Sequence, residues 1–190
     1  MVDAWDRELF VLLNGVPHPG WLDAGFWLFT SLGLGWVQCA GLLVGTLAWW
    51  RRAGSFWAGD AVRRLLWPGL WAFLLSGGAG QVVKRLVNRP RPEIGFQAPD
   101  EAIGAYSFPS GHAATSFALA FVIWQLTRRT RYAPWGWLGW VLAALVGYSR
   151  IYRGVHYPGD VLLGAVIGLL AAWGAVTFFR RRYQASGRPE

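Results

Sequence analysis

The strongest constraint on this chain is a series of long apolar stretches, each ending in arginine or in a short polar cluster. Residues 21–50 run into Arg51 and Arg52, and residues 65–83 lie between Arg63–Arg64 and Lys84. Residues 111–127 run into Arg128, Arg129 and Arg131; residues 135–148 into Ser149 and Arg150; residues 160–179 into Arg180, Arg181 and Arg182. A helix of about 20 apolar residues covers the ~30 Å hydrocarbon core of a bilayer. The pattern predicts an all-α fold, an integral membrane helix bundle of about five spans. Fourteen Trp and 25 Gly fit it, since Trp gathers at the membrane interface and Gly lets helices pack closely.

Residues 3–14 are too short and too charged at the start to span. They read as an N-terminal amphipathic helix at the interface, stopped by Asn14, Gly15 and Pro17. A sixth span would require this segment to cross. Residues 21–50 as one straight helix would be roughly 45 Å long. They should tilt or break, most plausibly near Gly33 and Gly35. Residues 1–183 are expected to form one membrane-embedded domain and 184–190 a cytoplasmic tail. Residues 1–8 carry Asp3, Asp6 and Glu8 and do not read as a cleavable leader. Cys39 is alone and reads as packing.

Charge orients the bundle. Placing 51–64, 128–131 and the C-terminus on one side gives that side 11 of the 18 basic residues and two of the ten acids, Asp60 and Glu190. The positive-inside rule makes that side cytoplasmic. A basic, aromatic-rich chain could bind nucleic acid, but arginines at the ends of apolar runs are the membrane pattern, and no nucleic-acid partner is expected. Three polar clusters then fall on the outer face.

The first cluster, residues 84–92, holds the only lysine, Lys84, with Arg85, Arg89 and Arg91. Arginine forks match phosphate oxygens, and a lysine adds a point charge; the plain alternative is a basic anchor in lipid headgroups. The second is Pro109-Ser110-Gly111-His112, opening a helix with Ser110 as N-cap. A helix N-terminus with free N–H groups binds phosphate readily; the alternative is a capped helix with an interfacial histidine. The third is Ser149-Arg150 followed by His156-Tyr157-Pro158-Gly159-Asp160. His156 and Asp160 are one helical turn apart and can meet, as a nucleophile with its carboxylate or as a capping pair. His18, between two prolines, reads as surface. Two histidines, a carboxylate and several cations suffice for phosphoryl transfer without a metal, and no metal-ligand spacing is present.

Together the clusters resemble the type 2 phosphatidic acid phosphatase superfamily. Its pattern is Lys, six residues, Arg-Pro; Pro-Ser-Gly-His; then Ser-Arg, five residues, His, three residues, Asp. Lys84 to Arg91-Pro92, Pro109 to His112 and Ser149 to Asp160 match at every position. The resemblance implies His156 as a nucleophile forming a phosphohistidine, Asp160 as its orienting carboxylate and His112 as general acid. It implies Lys84, Arg91, Ser110, Gly111 and Arg150 as phosphate ligands, with no metal or other cofactor. Arg85, Arg89 and Arg153 lie outside the pattern and read as rim charges.

The resemblance further implies a bacterial inner-membrane enzyme, its site facing the periplasm or cell exterior, with a lipid phosphate as partner and no obligate protein partner. Undecaprenyl diphosphate is the favoured substrate, ahead of phosphatidylglycerophosphate and phosphatidic acid. Phosphotransfer to a lipid acceptor and non-enzymatic anionic-lipid binding are the competing readings. Phe96, Ile103 and Tyr106 are expected to line a lipid entry route or to pack the loop.

Overall fold

The computed structural model describes residues 4–99, 104 and 106–185, and every regular element among them is helical. Helix α1 covers Ala4–Asn14, α2 Gly20–Leu32, α3 Gly35–Ala61, α4 Trp67–Val87, α5 Gly111–Thr127, α6 Ala133–Tyr152 and α7 Pro158–Ala185. A π-helical turn, Val62–Leu66, joins α3 to α4. Of the expected cytoplasmic tail, residues 186–190 lie outside the described part.

The expected break falls at Gly33, where α2 and α3 meet at a 67° bend. A Cβ on Gly33 would stand 2.5 Å from the His112 ring and 2.7 Å from Val146. The bend therefore brings bare backbone against His112. Arg51 and Arg52 do not end α3 as expected; the helix runs on to Ala61. Arginine is a good helix former, and the ladder is disturbed only near Pro68, which lacks an N–H. Leu42 stands against Gly69 and Gly45 against Leu65, so α3 and α4 run antiparallel.

Helix α5 is the central post, packed on α4, α6 and α7. Ala72, Ala118, Val122, Ala172 and Ala175 form the core between α4, α5 and α7. Small residues at four-residue spacing let α7 close on α5: a methyl on Gly168 would stand 2.1 Å from the Ala114 carbonyl oxygen, and one on Gly164 2.5 Å from that of Ser110. Such close approach replaces the hydrophobic drive that helices lack in lipid. Large apolar side chains face outward instead, among them Trp21, Trp36, Leu170 and Trp173. By length and hydropathy α7 can cross a bilayer alone, and α2 with Gly35–Arg51 passes as a bent pair. The five-span count remains a proposal about how the bundle meets lipid.

Helix α1 forms where expected, but it is more than a surface element. Asp6, Phe10 and Asn14 make one buried stripe, while Trp5 and Leu12 face outward. Asn14 Nδ2 lies 3.0, 3.1 and 2.9 Å from the carbonyl oxygens of Phe96, Ile151 and Tyr152. The Phe96 N–H donates back to Asn14 Oδ1 at 2.7 Å. One amide thus ties α1 to the loop before α5 and to the end of α6.

Candidate active site

The N-termini of α5 and α7 meet at one end of the bundle. The Ser110 N–H donates to the Asp160 carbonyl at 2.9 Å, joining the second polar cluster to the third. Ser110 caps α5 as expected, its hydroxyl accepting from the Ala113 N–H at 3.4 Å. Beside Gly111 a Cβ would meet nothing within 4 Å, so the first turn of α5 is open there. His112 follows, half-buried against Gly33.

His156 is in the short link between α6 and α7 and is 2% exposed. Its Nδ1 faces Asp160 Oδ2 at 3.4 Å, a distance longer than a tight hydrogen bond and common in unliganded sites. That pairing selects the tautomer protonated at Nδ1 and leaves the lone pair on Nε2. Nε2 carries no hydrogen bond among the described residues. Burial, opposed by the Asp160 hydrogen bond and aided by Arg150 and Arg91, pushes the imidazole down to about 4. His156 is therefore neutral near pH 7, the state a nucleophile needs.

Asp160 is fully buried and pinned from two further sides. The Tyr157 N–H donates to Oδ2 at 2.9 Å, as a third-position carboxylate does at a helix start. Arg89 Nη1 donates to Oδ1 at 2.6 Å.

The expected cations gather around the pair. Arg91 donates from Nε to the Gly104 carbonyl at 2.6 Å and from Nη1 to that of Val155 at 2.7 Å, next to His156. Arg150 Nη1 donates to Thr30 Oγ1, and its carbonyl accepts from the Val155 and His156 N–H groups. Lys84 lies within electrostatic reach of Arg91, Asp160 and Arg150. All eight expected site residues thus belong to one end of the bundle. Among the described residues no group of three His, Cys, Asp or Glu could hold a metal ion.

Three expectations need correction. Arg89 is 8% exposed and Arg153 3%, so neither is a rim charge. Arg89 sits inside because two carboxylates compensate it: besides Asp160, Asp6 Oδ2 accepts from Nη2 at 2.5 Å. The acid from α1 was the residue the sequence reading missed. Its signal was the 6, 10, 14 stripe, which places an aspartate on the buried face.

His18 is also not at the surface. It stacks on Phe96 at 3.7 Å between ring centroids, with Nδ1 3.4 Å from Asp23 and Nε2 2.9 Å from the Asn14 carbonyl. The two prolines make a turn that folds it inward over Tyr152. Phe96 accordingly packs the loop, Tyr106 is 39% exposed, and Ile103 lies outside the described residues.

Known proteins share this architecture. The family model described as PAP2 superfamily matches residues 65–184. The crystal structure of Aquifex aeolicus LpxE superposes with a TM-score of 0.72 at 31% identity, covering 92% of this chain and 96% of that one. That of a transmembrane PAP2 type phosphatidylglycerolphosphate phosphatase from Bacillus subtilis gives 0.74 at 25%, covering 94% and 86%. An undecaprenyl-diphosphatase from Sulfolobus acidocaldarius is 32% identical over 61% of this chain and 53% of its own length. Other curated relatives are named for lipid A and phosphatidylglycerophosphate, and the chain spans 30% to 74% of the length of the first three it matches. In its helical fold and in its sequence from residue 65 onward, the chain belongs to the PAP2 superfamily, alongside membrane lipid phosphatases.

Proposed function

We propose that this protein hydrolyses a phosphate carried by a membrane lipid through a covalent phosphohistidine, without a metal. The observation that carries the reading is the buried, neutral His156 with its lone pair on Nε2, bound to a pinned carboxylate and surrounded by Arg91, Arg150 and Lys84. Nε2 attacks phosphorus as the bond to the leaving oxygen breaks. His112 gives that oxygen a proton. Asp160 holds Nδ1–H and balances the charge that grows on the ring. Lys84, Arg91, Arg150, the Ser110 hydroxyl and the Gly111 N–H at the start of α5 hold the equatorial oxygens. Water, deprotonated by His112, then attacks the phosphohistidine and releases inorganic phosphate.

The substrate we favour is undecaprenyl diphosphate. A polyprenyl tail can stay in the bilayer beside the exposed Leu86 and Val87 while the head enters among the cations. The loop between the first two clusters, residues 93–108, is too short to form a recognition domain. A relative named for this substrate supports the choice, while one named for phosphatidylglycerolphosphate makes that lipid the next to test. The arginine distribution supports a bacterial inner-membrane location with the site facing outward.

The test is phosphate release by detergent-purified protein from undecaprenyl diphosphate, phosphatidylglycerophosphate and phosphatidic acid, with EDTA present. Wild type should release phosphate and His156→Ala should not. Equal release by both would remove His156 as nucleophile, and loss in EDTA restored by a divalent ion would end the metal-free reading.

A further inference from the structure

The three charges Asp6, Arg89 and Asp160 are 1%, 8% and 0% exposed, respectively. Burying charges gives little net stability compared with apolar packing of the same volume. This trio therefore asks for a role other than holding the fold. Its geometry supplies one. Arg89 places one arm on each carboxylate, with its guanidinium 4.4 Å from the centre of the Tyr157 ring. Asp6 uses its other oxygen to accept the Gly159 N–H at 2.8 Å. It thus caps the second position of α7 from another helix, while Arg89 grips the side chain at the third. A methyl on Gly159 would stand 2.7 Å from Asp6, so glycine is needed at this seam.

We infer that α1 is part of the catalytic apparatus: Asp6, acting through Arg89, is a positioning residue that aims Asp160 at His156. The inference rests on the phosphohistidine reading above. Arg89 is drawn to both carboxylates, so neither takes its full attraction. Without the charge on Asp6, Arg89 pairs with Asp160 alone. The carboxylate is then drawn toward the guanidinium and away from Nδ1, and the growing positive charge on the ring is less well met. The phosphate cradle is untouched, because Asp6 and Arg89 bond none of its proposed ligands.

The experiment uses the full chain in detergent and Asp6→Asn, which keeps an acceptor for Gly159 but removes the charge. Three quantities are read: lipid turnover, inhibition by inorganic phosphate, and labelling of His156 by phosphoramidate, followed by mass spectrometry. The last needs no lipid. Both kcat and the labelling rate should fall about tenfold, the scale of a lost outer carboxylate behind a working histidine. KM and the phosphate inhibition constant should stay within about twofold, since the lost interaction acts on the chemical step.

Wild-type labelling and turnover in Asp6→Asn would overturn the role of α1 while leaving the lipid phosphatase reading intact. Failure of the wild type to label or turn over would overturn the phosphohistidine reading, and this inference with it. If Asp6→Asn does not fold, Arg89→Lys replaces it. A lysine is a point charge without the two-armed fork. The same split between kcat and KM supports the clamp, and unchanged kcat rejects it.

Discussion

The molecule holds two histidine–aspartate pairs with the same 3.4 Å separation between Nδ1 and a carboxylate oxygen, and they serve different ends. In the His156 pair, Nε2 is unbonded among the described residues and the carboxylate is fixed by Arg89 and the Tyr157 N–H. In the His18 pair, Nε2 is bound to the Asn14 carbonyl, the ring is stacked on Phe96, and Asp23 accepts from the Tyr152 hydroxyl at 2.6 Å. The outer pair fastens the turn after α1 to α2 and α6. The rings differ at both nitrogens: His156 bonds Asp160 through Nδ1 and leaves Nε2 open to the proposed chemistry, whereas His18 bonds through Nε2 and has no hydrogen bond at Nδ1.

Exchanging carboxylates breaks the comparison most directly. Asp160→Asn should cut kcat by about 10³-fold or more, as losing the orienting acid of a histidine does elsewhere. Asp23→Ala should leave kcat within about threefold and lower the melting temperature, because the hydrogen bond it accepts from the Tyr152 hydroxyl contributes about 1 kcal/mol. Thermal melts and steady-state kinetics on both variants decide it. Equal kinetic losses would mean that the outer pair also serves the reaction.

The pH profile sharpens the same contrast. The proposed reaction needs His156 neutral, so kcat/KM should fall as pH drops through the imidazole value of about 4. At pH 5 the His156-dependent acid limb should retain about nine tenths of its plateau, where an ordinary imidazole would retain about 3%. A limb centred near 6.5 would show that burial does not set the nucleophile's state.

Gly33→Ala carries a smaller effect than Asp160→Asn. Its new methyl would press on the His112 ring, and displacing the proposed general acid should slow kcat about tenfold, within the range acid catalysis supplies. Leaving groups of low pKa need less help and should lose less. An equal loss with good and poor leaving groups would point away from His112 as the acid.

The helical architecture was legible because apolar length and arginine punctuation are one-dimensional signals. The length of residues 21–50 called for a tilt or a break, the glycines at 33 and 35 placed it, and the three polar clusters that meet at one end of the bundle were visible as local motifs. What stayed hidden depends on contacts between distant segments. Asp6 and Arg89 are 83 residues apart in sequence, and each alone resembles an ordinary interfacial charge. His18 misled because Pro17 and Pro19 announce a turn but not its direction. The continuation of α3 past Arg51 was missed because charge was read as a stop, although arginine suits a helix.

The close approach of Gly168 to the Ala114 carbonyl bears on how the proposed lipid substrate enters. Backbones this close leave no slack, so α5 and α7 behave as one rigid piece. The ends bearing His112 and Asp160 cannot spread apart to admit a headgroup. Accommodation falls to the other wall, where the bent α2–α3 pair makes few contacts with α5. On the proposed reading the chemistry sits on a stiff frame, and variation in which lipid fits falls to the α2–α3 side of the doorway.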